Sequence, residues 1–198
     1  SGVDVRRFAP SQKVRDSFLA VGRFVEKKAP QVTIRTFAHA VADRPSARLE
    51  FIGDGPLLET CRELAAELGV AGQITFRGQA PHEDVRKALQ TTEVFLQHSI
   101  SAADGNTEGL PTAIQEALAC GCITVSTYHA GIPEAVEHGV NGYLVEEWDE
   151  TGFAEAIRTV LHLDDRGPIA AAARATAEAK FDNAKGLARV EEVIRAAL

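Results

Sequence analysis

Charged side chains of the kind that handle polyanions and sugars recur at defined points of this 198-residue chain. The first cluster is Gly22-Arg23-Phe24-Val25-Glu26-Lys27-Lys28, where an arginine and a lysine five residues later could grip one polyanion. A solvated turn is the alternative for that stretch. The second is Ile52-Gly53-Asp54-Gly55-Pro56, whose glycines permit a sharp turn and close approach to a ligand, with Pro56 expected to open a helix. It is weak as a nicotinamide-dinucleotide fingerprint, because the sixth position of GxGxxG is Leu58. The third is Glu108-Gly109-Leu110-Pro111-Thr112-Ala113-Ile114-Gln115-Glu116, preceded by the turn-rich Ala103-Asp104-Gly105-Asn106. If Pro111 is the first helical residue, the capping position falls on Leu110, which has no side-chain acceptor. The open amides of that turn then suit an oxyanion such as phosphate, unless water satisfies them at an exposed terminus.

Glu108 and Glu116 invite comparison with a glycosidase acid–nucleophile pair. Their spacing argues against it, since eight residues of helix span about 12 Å, whereas the carboxyls of a retaining hydrolase stand roughly 5 Å apart. The two carboxylates are better suited to grasping different hydroxyls of one extended ligand, with a solvent-facing helix position as the alternative for Glu116. Two further loops, Arg77-Gly78-Gln79-Ala80-Pro81 and Tyr128-His129-Ala130-Gly131-Ile132-Pro133-Glu134, belong to the same edge. His82, His98 and His129 could each be read as a general base, but no nucleophile stands at triad-like spacing, and loop or core histidines are expected instead.

The elements that must position these groups are legible as short apolar runs: Phe18 to Arg23, Arg48 to Ile52, Ile74 to Arg77, Val94 to Gln97, Ile123 to Ser126 and Tyr143 to Val145. They are nearly unbroken rather than alternating, as in strands buried on both faces of a parallel sheet. Helical periodicity separates them, for example Pro56 to Leu68 with Leu57, Leu58, Cys61, Leu64 and Leu68 on one stripe, and Pro111 to Ala119 with Ile114, Ala117 and Leu118. Strand–helix–strand repetition predicts an α/β domain, a Rossmann-like doubly wound parallel sheet. In such sheets ligands sit outside the carboxyl ends of the strands, where all five loops fall. Three helices are expected to close the chain, Thr151 to Leu163, Pro168 to Ala179 and Ala184 to Ala197, the last a surface helix packing on its own domain through Leu187, Val190, Val193 and Ile194.

Composition narrows the function. The chain is 45% apolar and 25% charged, an ordinary globular balance. A net charge of −7 without a basic block argues against nucleic acid or an anionic membrane as partner. No apolar run approaches the roughly 20 residues of a membrane span, and no signal peptide opens the chain. Cys61, Cys120 and Cys122 form no CxxC pair, which points to reduced thiols in a cytoplasmic compartment, and the six histidines have no zinc-like spacing. The absence of methionine and the Ser1-Gly2 start predict a piece excised from a longer protein.

The ordered set Gly22-Arg23…Lys28, Gly53-Asp54-Gly55-Pro56, Glu108-Gly109-Leu110-Pro111…Glu116-Ala117…Ala119-Cys120-Gly121, Gly131-Ile132-Pro133-Glu134 and Gly139…Gly142-Tyr143-Leu144-Val145 closely resembles the donor domain of GT4-type retaining glycosyltransferases. Asp104-Gly105-Asn106-Thr107-Glu108-Gly109-Leu110-Pro111 together with His129-Ala130-Gly131-Ile132-Pro133-Glu134 resembles the bacterial exopolysaccharide (colanic-acid-like) subgroup. The resemblance implies one half of a two-domain GT-B architecture. Residues 1–198 would be the donor-binding domain, with 1–16 leading in and 151–198 as carboxy-terminal helices, and the amino-terminal acceptor domain would be absent. It implies a UDP-sugar or other nucleotide sugar as co-substrate, a glycan or lipid-linked acceptor, hexosyl transfer with retention, and no metal or other cofactor. Arg23, Lys28 and the backbone of Leu110, Pro111, Thr112 and Ala113 would meet the diphosphate. Glu108 would serve as the catalytic residue on the sugar hydroxyls, Glu116 would hold the ribose, and Gln79 and Gly53 would border the base. Pro111 and Ala29 stand where the family more often has glycine. The resemblance also implies that the last helix packs back on the absent domain, leaving its stripe partly uncovered or free for dimer contacts, and that the whole protein is cytoplasmic and peripheral to the inner membrane. Other readings are a sugar-nucleotide epimerase or Rossmann dehydrogenase, and a non-catalytic nucleotide-binding module.

Overall fold

The apolar runs become six strands in a computed structural model that describes residues 2–197. Ser1 and Leu198, the ends of the expected 1–198 domain, lie outside the described residues. The strands are β1 (Val14–Val21), β2 (Arg48–Ile52), β3 (Ile74–Gly78), β4 (Thr92–Leu96), β5 (Ile123–Thr127) and β6 (Gly142–Val145). All pair in parallel in the order β3-β2-β1-β4-β5-β6, so the winding reverses between β1 and β4. A doubly wound sheet of this order opens a crevice at that reversal, beyond the carboxyl ends of the two strands.

Helices cover both faces. Phe18 and Ala20 of β1 and Val94 and Leu96 of β4 share one core with α1 (Pro30–Ala40), α2 (Leu58–Glu67) and α6 (Glu150–His162). Leu19 and Phe95 point the other way, toward α3 (His82–Thr91), α4 (Thr112–Ala119), the short α5 (Ile132–Ala135) and α7 (Gly167–Lys180). Alternate residues of a strand face opposite sides, so apolar side chains on both faces explain the unbroken runs. Each fully buried Leu, Ile or Phe contributes about 1.5–3 kcal/mol of transfer free energy. The first residues belong to this second core. Val3, Val5 and Phe8 are buried in it, and Arg174 of α7 donates to the carbonyls of Val5 (2.8 Å), Phe8 (2.6 Å) and Ala119 (2.7 Å). All three cysteines are free and buried, and burial pushes the Cys61 and Cys120 thiols up to about 12.

Several boundaries differ from the sequence reading. Pro56 lies in the turn ahead of α2 rather than inside it, since Leu57 is the cap. Neither α1 nor α3 was delimited by periodicity. Strand β1 ends at Val21 because Gly22 turns the chain at φ +148°, and it starts at Val14 despite the polar run Arg15-Asp16-Ser17. Those polar groups are satisfied from afar. The Asp16 amide donates to Glu93 Oε2 (2.8 Å), the Glu93 amide to Ser17 Oγ (3.0 Å), and Arg166 Nη2 to Asp16 Oδ1 (2.9 Å). Arg166 also pairs with Glu93, and Arg44 reaches Asp16 at 3.4 Å. This closed set of charges sits at the amino ends of β1 and β4, opposite the crevice.

The last helix, α8 (Asn183–Ala196), overturns the expectation that it packs on its own domain. No side chain on it is buried, and Leu187, Val190, Val193 and Ile194 are 55–69% exposed. Asp182 caps its start, and the Val3 carbonyl accepts from the Asn183 amide at 3.1 Å. Among the described residues no helix is long and apolar enough to cross a membrane.

Replacing Arg166 with methionine leaves the largely shielded Glu93 without a cationic partner and the buried Asp16 with Arg44 alone. Breaking one side of a buried ionic set costs about 3 kcal/mol or more. Urea unfolding of Arg166→Met should show a loss of that order, and a loss below about 1 kcal/mol would mean that the set does not hold β1.

Candidate functional site

The rim of the crevice is made where three strand ends are laced together. The Gly22 amide donates to the Ile52 carbonyl (3.0 Å) and the Gly53 amide to the Gly78 carbonyl (2.8 Å). Gly53 has φ +147°, and a Cβ there would lie 1.9 Å from the Gly22 carbonyl oxygen, so only glycine fits. The lacing brings the loops after β1, β2 and β3 side by side, with Gln79 exposed at the margin beyond Gly78.

After Gly22 the chain exposes Arg23, whose guanidinium has no ion pair or hydrogen-bond partner among the described residues. A single 3-10 turn, Glu26–Lys28, follows, and Ala29 then takes the left-handed conformation (φ +38°, ψ +54°) before Pro30 starts α1. An L-residue held there costs about 1 kcal/mol, which is the physical reason that a glycine suits this position better. The turn sends Lys28 back toward the sheet.

Lys28 meets Glu108, which the long loop after β4 delivers to the same place. Their Nζ···Oε2 distance is 2.9 Å and both side chains are about 15% exposed. Arg23, Lys27, Lys28, Asp104, Asn106 and Glu108 are among the residues around a hollow of about 400 Å³. Gln97 Nε2 and Ser99 Oγ also approach Glu108 Oε2, each at 3.5 Å. The loop carrying Glu108 is fastened along its length. The Ile100 amide donates to the Lys27 carbonyl (3.0 Å), the Ala103 amide to Glu26 Oε1 (3.1 Å), the Ser101 amide to Glu147 Oε2 (2.9 Å), and the Glu108 amide to His129 Nε2 (3.5 Å). His129 itself is buried and holds Glu147 Oε1 at 2.5 Å. Burial opposes ionisation of Glu147, but the Ser101 amide and the His129 ring outweigh it and hold its carboxyl below the usual range.

Helix α4 begins beside this loop, one residue later than the spacing predicts. Pro111 is the cap (φ −61°, ψ +133°) and Thr112 the first helical residue, because proline cannot donate and its backbone is extended here. The consequence drawn from Leu110 nevertheless carries over. No side chain caps the helix, and the amides of Thr112 and Ala113 have no hydrogen-bond partner among the described residues. Gly131 packs against Leu110, where an added Cβ would come within 3.0 Å of its amide nitrogen. The hollow thus unites Arg23, Lys28 and Glu108. Leu110, Pro111, Thr112, Ala113, Glu116, Gly53 and Gln79 do not line it.

Glu116, within α4, is 6% exposed and pairs with His82 Nε2 at 2.7 Å. Burial pushes its carboxyl up, and His82 pulls it part of the way back. The expectation of a loop or core histidine therefore misses that His82 opens α3 with its side chain 58% exposed, its ring tilted against Phe8 and bonded to a candidate ligand group. His98 is a core histidine as expected. It is fully buried, accepts the Trp148 amide at Nε2 (3.0 Å), and packs edge-on to Phe153. Gln97, Ser99 and Glu147 carried no sequence signal, since nothing in their spacing marks a strand-end glutamine or a distant glutamate. Among the described residues no three His, Cys, Asp or Glu side chains could together hold a metal ion.

Comparison with known proteins supplies a family. The model described as "Glycosyl transferases group 1" matches residues 5–180. The putative colanic acid biosynthesis glycosyltransferase WcaL of Escherichia coli is 33% identical over 187 residues, 91% of this chain and 46% of its own length. The amylovoran biosynthesis glycosyltransferase AmsK of Erwinia amylovora is 31% identical over 204 residues, 98% of this chain and 49% of its own length. The chain therefore spans about half the length of the curated relatives it matches. Among solved structures, Anabaena Alr3699/HepE in complex with UDP shares the fold at a TM-score of 0.83 and 21% identity, covering 98% of this chain and 56% of that one. The C-terminal domain of the group 1 glycosyl transferase LpcC from Francisella tularensis superposes at 0.81 with 22% identity, covering 92% of this chain and all of that one.

The buried His98 gives the stability of the fold a pH dependence. Desolvation lowers its pKa from the ordinary 6.5 to about 4, against the pull of Glu150, Glu147 and Asp149. The unfolded chain binds that proton first, so the contribution is complete above pH 6.5 and is lost as the pH falls toward 4, by about 3 kcal/mol in all. His98→Gln keeps the acceptor for the Trp148 amide and should lose stability less steeply across that interval in denaturant titrations. Parallel curves for the two proteins would remove His98 as the cause.

Proposed function

The chain belongs to the group 1 glycosyl transferases, and we propose that it is the nucleotide-sugar donor-binding domain of a retaining enzyme. That enzyme moves a hexosyl unit from a nucleoside-diphosphate sugar to a glycan or lipid-linked acceptor. The observation that carries the reading is the convergence of Arg23, Lys28 and Glu108 on one hollow at the reversal of the sheet. Cleavage of a sugar–diphosphate bond leaves negative charge on the departing phosphate, and preorganised positive groups lower that barrier. Arg23 is an unpaired cation at the mouth. Lys28 exchanges its carboxylate partner for phosphate, and the open amides of Thr112 and Ala113 complete the cradle at a helix start. Glu108, released from Lys28, then accepts hydroxyls of the sugar. Glu116 binds the ribose once His82 yields, and Gln79 and Gly53 border the base.

Retention and independence from metal follow the GT4 resemblance and the charge inventory, in which two side-chain cations and a helix terminus do the work a divalent ion does elsewhere. The names of WcaL and AmsK favour assembly of an extracellular polysaccharide, and the UDP held by HepE favours a uridine nucleotide. The remaining length of the relatives corresponds to an acceptor-binding domain, and the uncovered stripe of α8 is a surface for it. Without that domain the 198 residues bind donor and do not transfer sugar. Membership of a transferase family sets aside the epimerase and dehydrogenase alternatives, and the unpaired Arg23 speaks against a module that has lost its ligand.

In calorimetric titrations Lys28→Ala should weaken UDP or GDP about tenfold, roughly 1.4 kcal/mol, while binding of uridine or guanosine changes little. An equal loss for both would take Lys28 out of the phosphate site. Treatment with EDTA should leave diphosphate affinity within about twofold of its starting value, and a strict requirement for added manganese or magnesium would overturn the metal-free reading.

A further inference from the structure

We propose that Gln97 and Ser99 are positioning residues for Glu108, holding its carboxylate toward the sugar when Lys28 turns to the phosphates; the assignment rests on the donor reading above. Gln97 is 4% exposed and Ser99 is fully buried, at the carboxyl end of β4 beneath the hollow. Gln97 Nε2 donates to Ser99 Oγ at 2.7 Å, which leaves the single Ser99 hydroxyl proton for Glu108 Oε2 at 3.5 Å. Gln97 Nε2 reaches the same oxygen at 3.5 Å. The result is a short chain of donors ending on the carboxylate, in which each bond polarises the next. At 3.5 Å the last links are long, because Lys28 at 2.9 Å holds that oxygen first. A diphosphate carries more charge than one carboxylate and draws the lysine away. The two neutral donors are what remains within reach of Glu108 Oε2.

The orientation of the Gln97 amide supports this use. Its Oε1 is buried with no hydrogen-bond partner. Turning the amide over would set that oxygen 3.5 Å from the Glu108 carboxylate, an acceptor facing an acceptor, so the charge of Glu108 favours the NH2 on its side. Gln97 also borders a small cavity of about 20 Å³ together with Gly22, Lys28 and Thr33, room for one water molecule. A buried acceptor without a protein donor is unfavourable for folding. An apolar side chain of similar volume would serve the core at least as well, so glutamine here answers to Glu108 rather than to packing.

The test uses the 198-residue protein and its Gln97→Leu, Ser99→Ala, Glu108→Gln and Glu108→Gln/Ser99→Ala variants, titrated calorimetrically with UDP, GDP, UDP-glucose, UDP-galactose and GDP-mannose. The quantity read is the affinity of a sugar conjugate divided by that of its own diphosphate, for the pair with the largest ratio. Gln97→Leu and Ser99→Ala should each lower that ratio about threefold or more while changing diphosphate affinity less than about twofold. The double variant should lose no more than Glu108→Gln alone, as expected of groups acting through one carboxylate. Gln97→Leu should unfold at no lower denaturant concentration than the parent. An unchanged ratio, an additive double variant, or diphosphate and conjugate weakening in step overturns the assignment. Failure of the parent protein to bind UDP or GDP at all overturns the donor reading itself, a separate result.

Discussion

A lysine after the first strand meets a glutamate after the fourth because the winding of the sheet reverses between those two strands and sets them side by side. Much of the site follows from that meeting of Lys28 and Glu108. The pair is mostly shielded from water, so its attraction is stronger than at a free surface, yet each charge has also lost hydration and the net stabilisation is modest. Its value lies in storage. In the proposed donor complex the two charges serve different parts of one ligand, and here they are stored as a pair. The sheet order supplies the meeting point, and the 3-10 turn with left-handed Ala29 aims the lysine.

Two kinds of construction surround the pair. On the β1–β2–β3 side the loops are tied by main-chain bonds and by glycines that allow backbone to touch backbone, an arrangement with little freedom to move. On the β4 side the loop from Ile100 to Leu110 is tied mainly by side chains, through Glu26, Lys27, Glu147 and His129. The rigid side carries Arg23 and Lys28, the cations proposed to meet the phosphates. The adjustable side carries Glu108, the residue that changes partner in the proposed donor complex.

Much of this architecture was legible in the chain. Apolar runs on both strand faces gave the parallel sheet, and Gly22, Gly53 and Gly78 at strand ends gave the ligand edge. The missing acceptor at the start of α4 was readable even though the cap proved to be Pro111 rather than Leu110. What escaped was whatever depends on partners distant in sequence. Arg15-Asp16-Ser17 reads as a polar break until Arg166 is seen to neutralise it. His82 reads as a loop residue until α3 brings it onto Glu116. Gln97 and Ser99 read as a strand end, and the stripe on α8 reads as core because periodicity does not say whether a covering surface exists.

The contrast between the two sides has a practical consequence for handling the molecule. The fasteners near Ala103 and Asn106 are exposed and partly ionic. In molar salt, where the screening length shrinks to about 3 Å, such contacts weaken while main-chain lacing and buried charges are little affected. A preparation kept in concentrated ammonium sulfate would therefore retain its strands, its glycine rim and the shielded Lys28–Glu108 pair, and would loosen only the tip of the β4 loop near Ala103 and Asn106. Assays for charged ligands belong in dilute buffer, because brine also screens the pull of an exposed cation such as Arg23 on a polyanion.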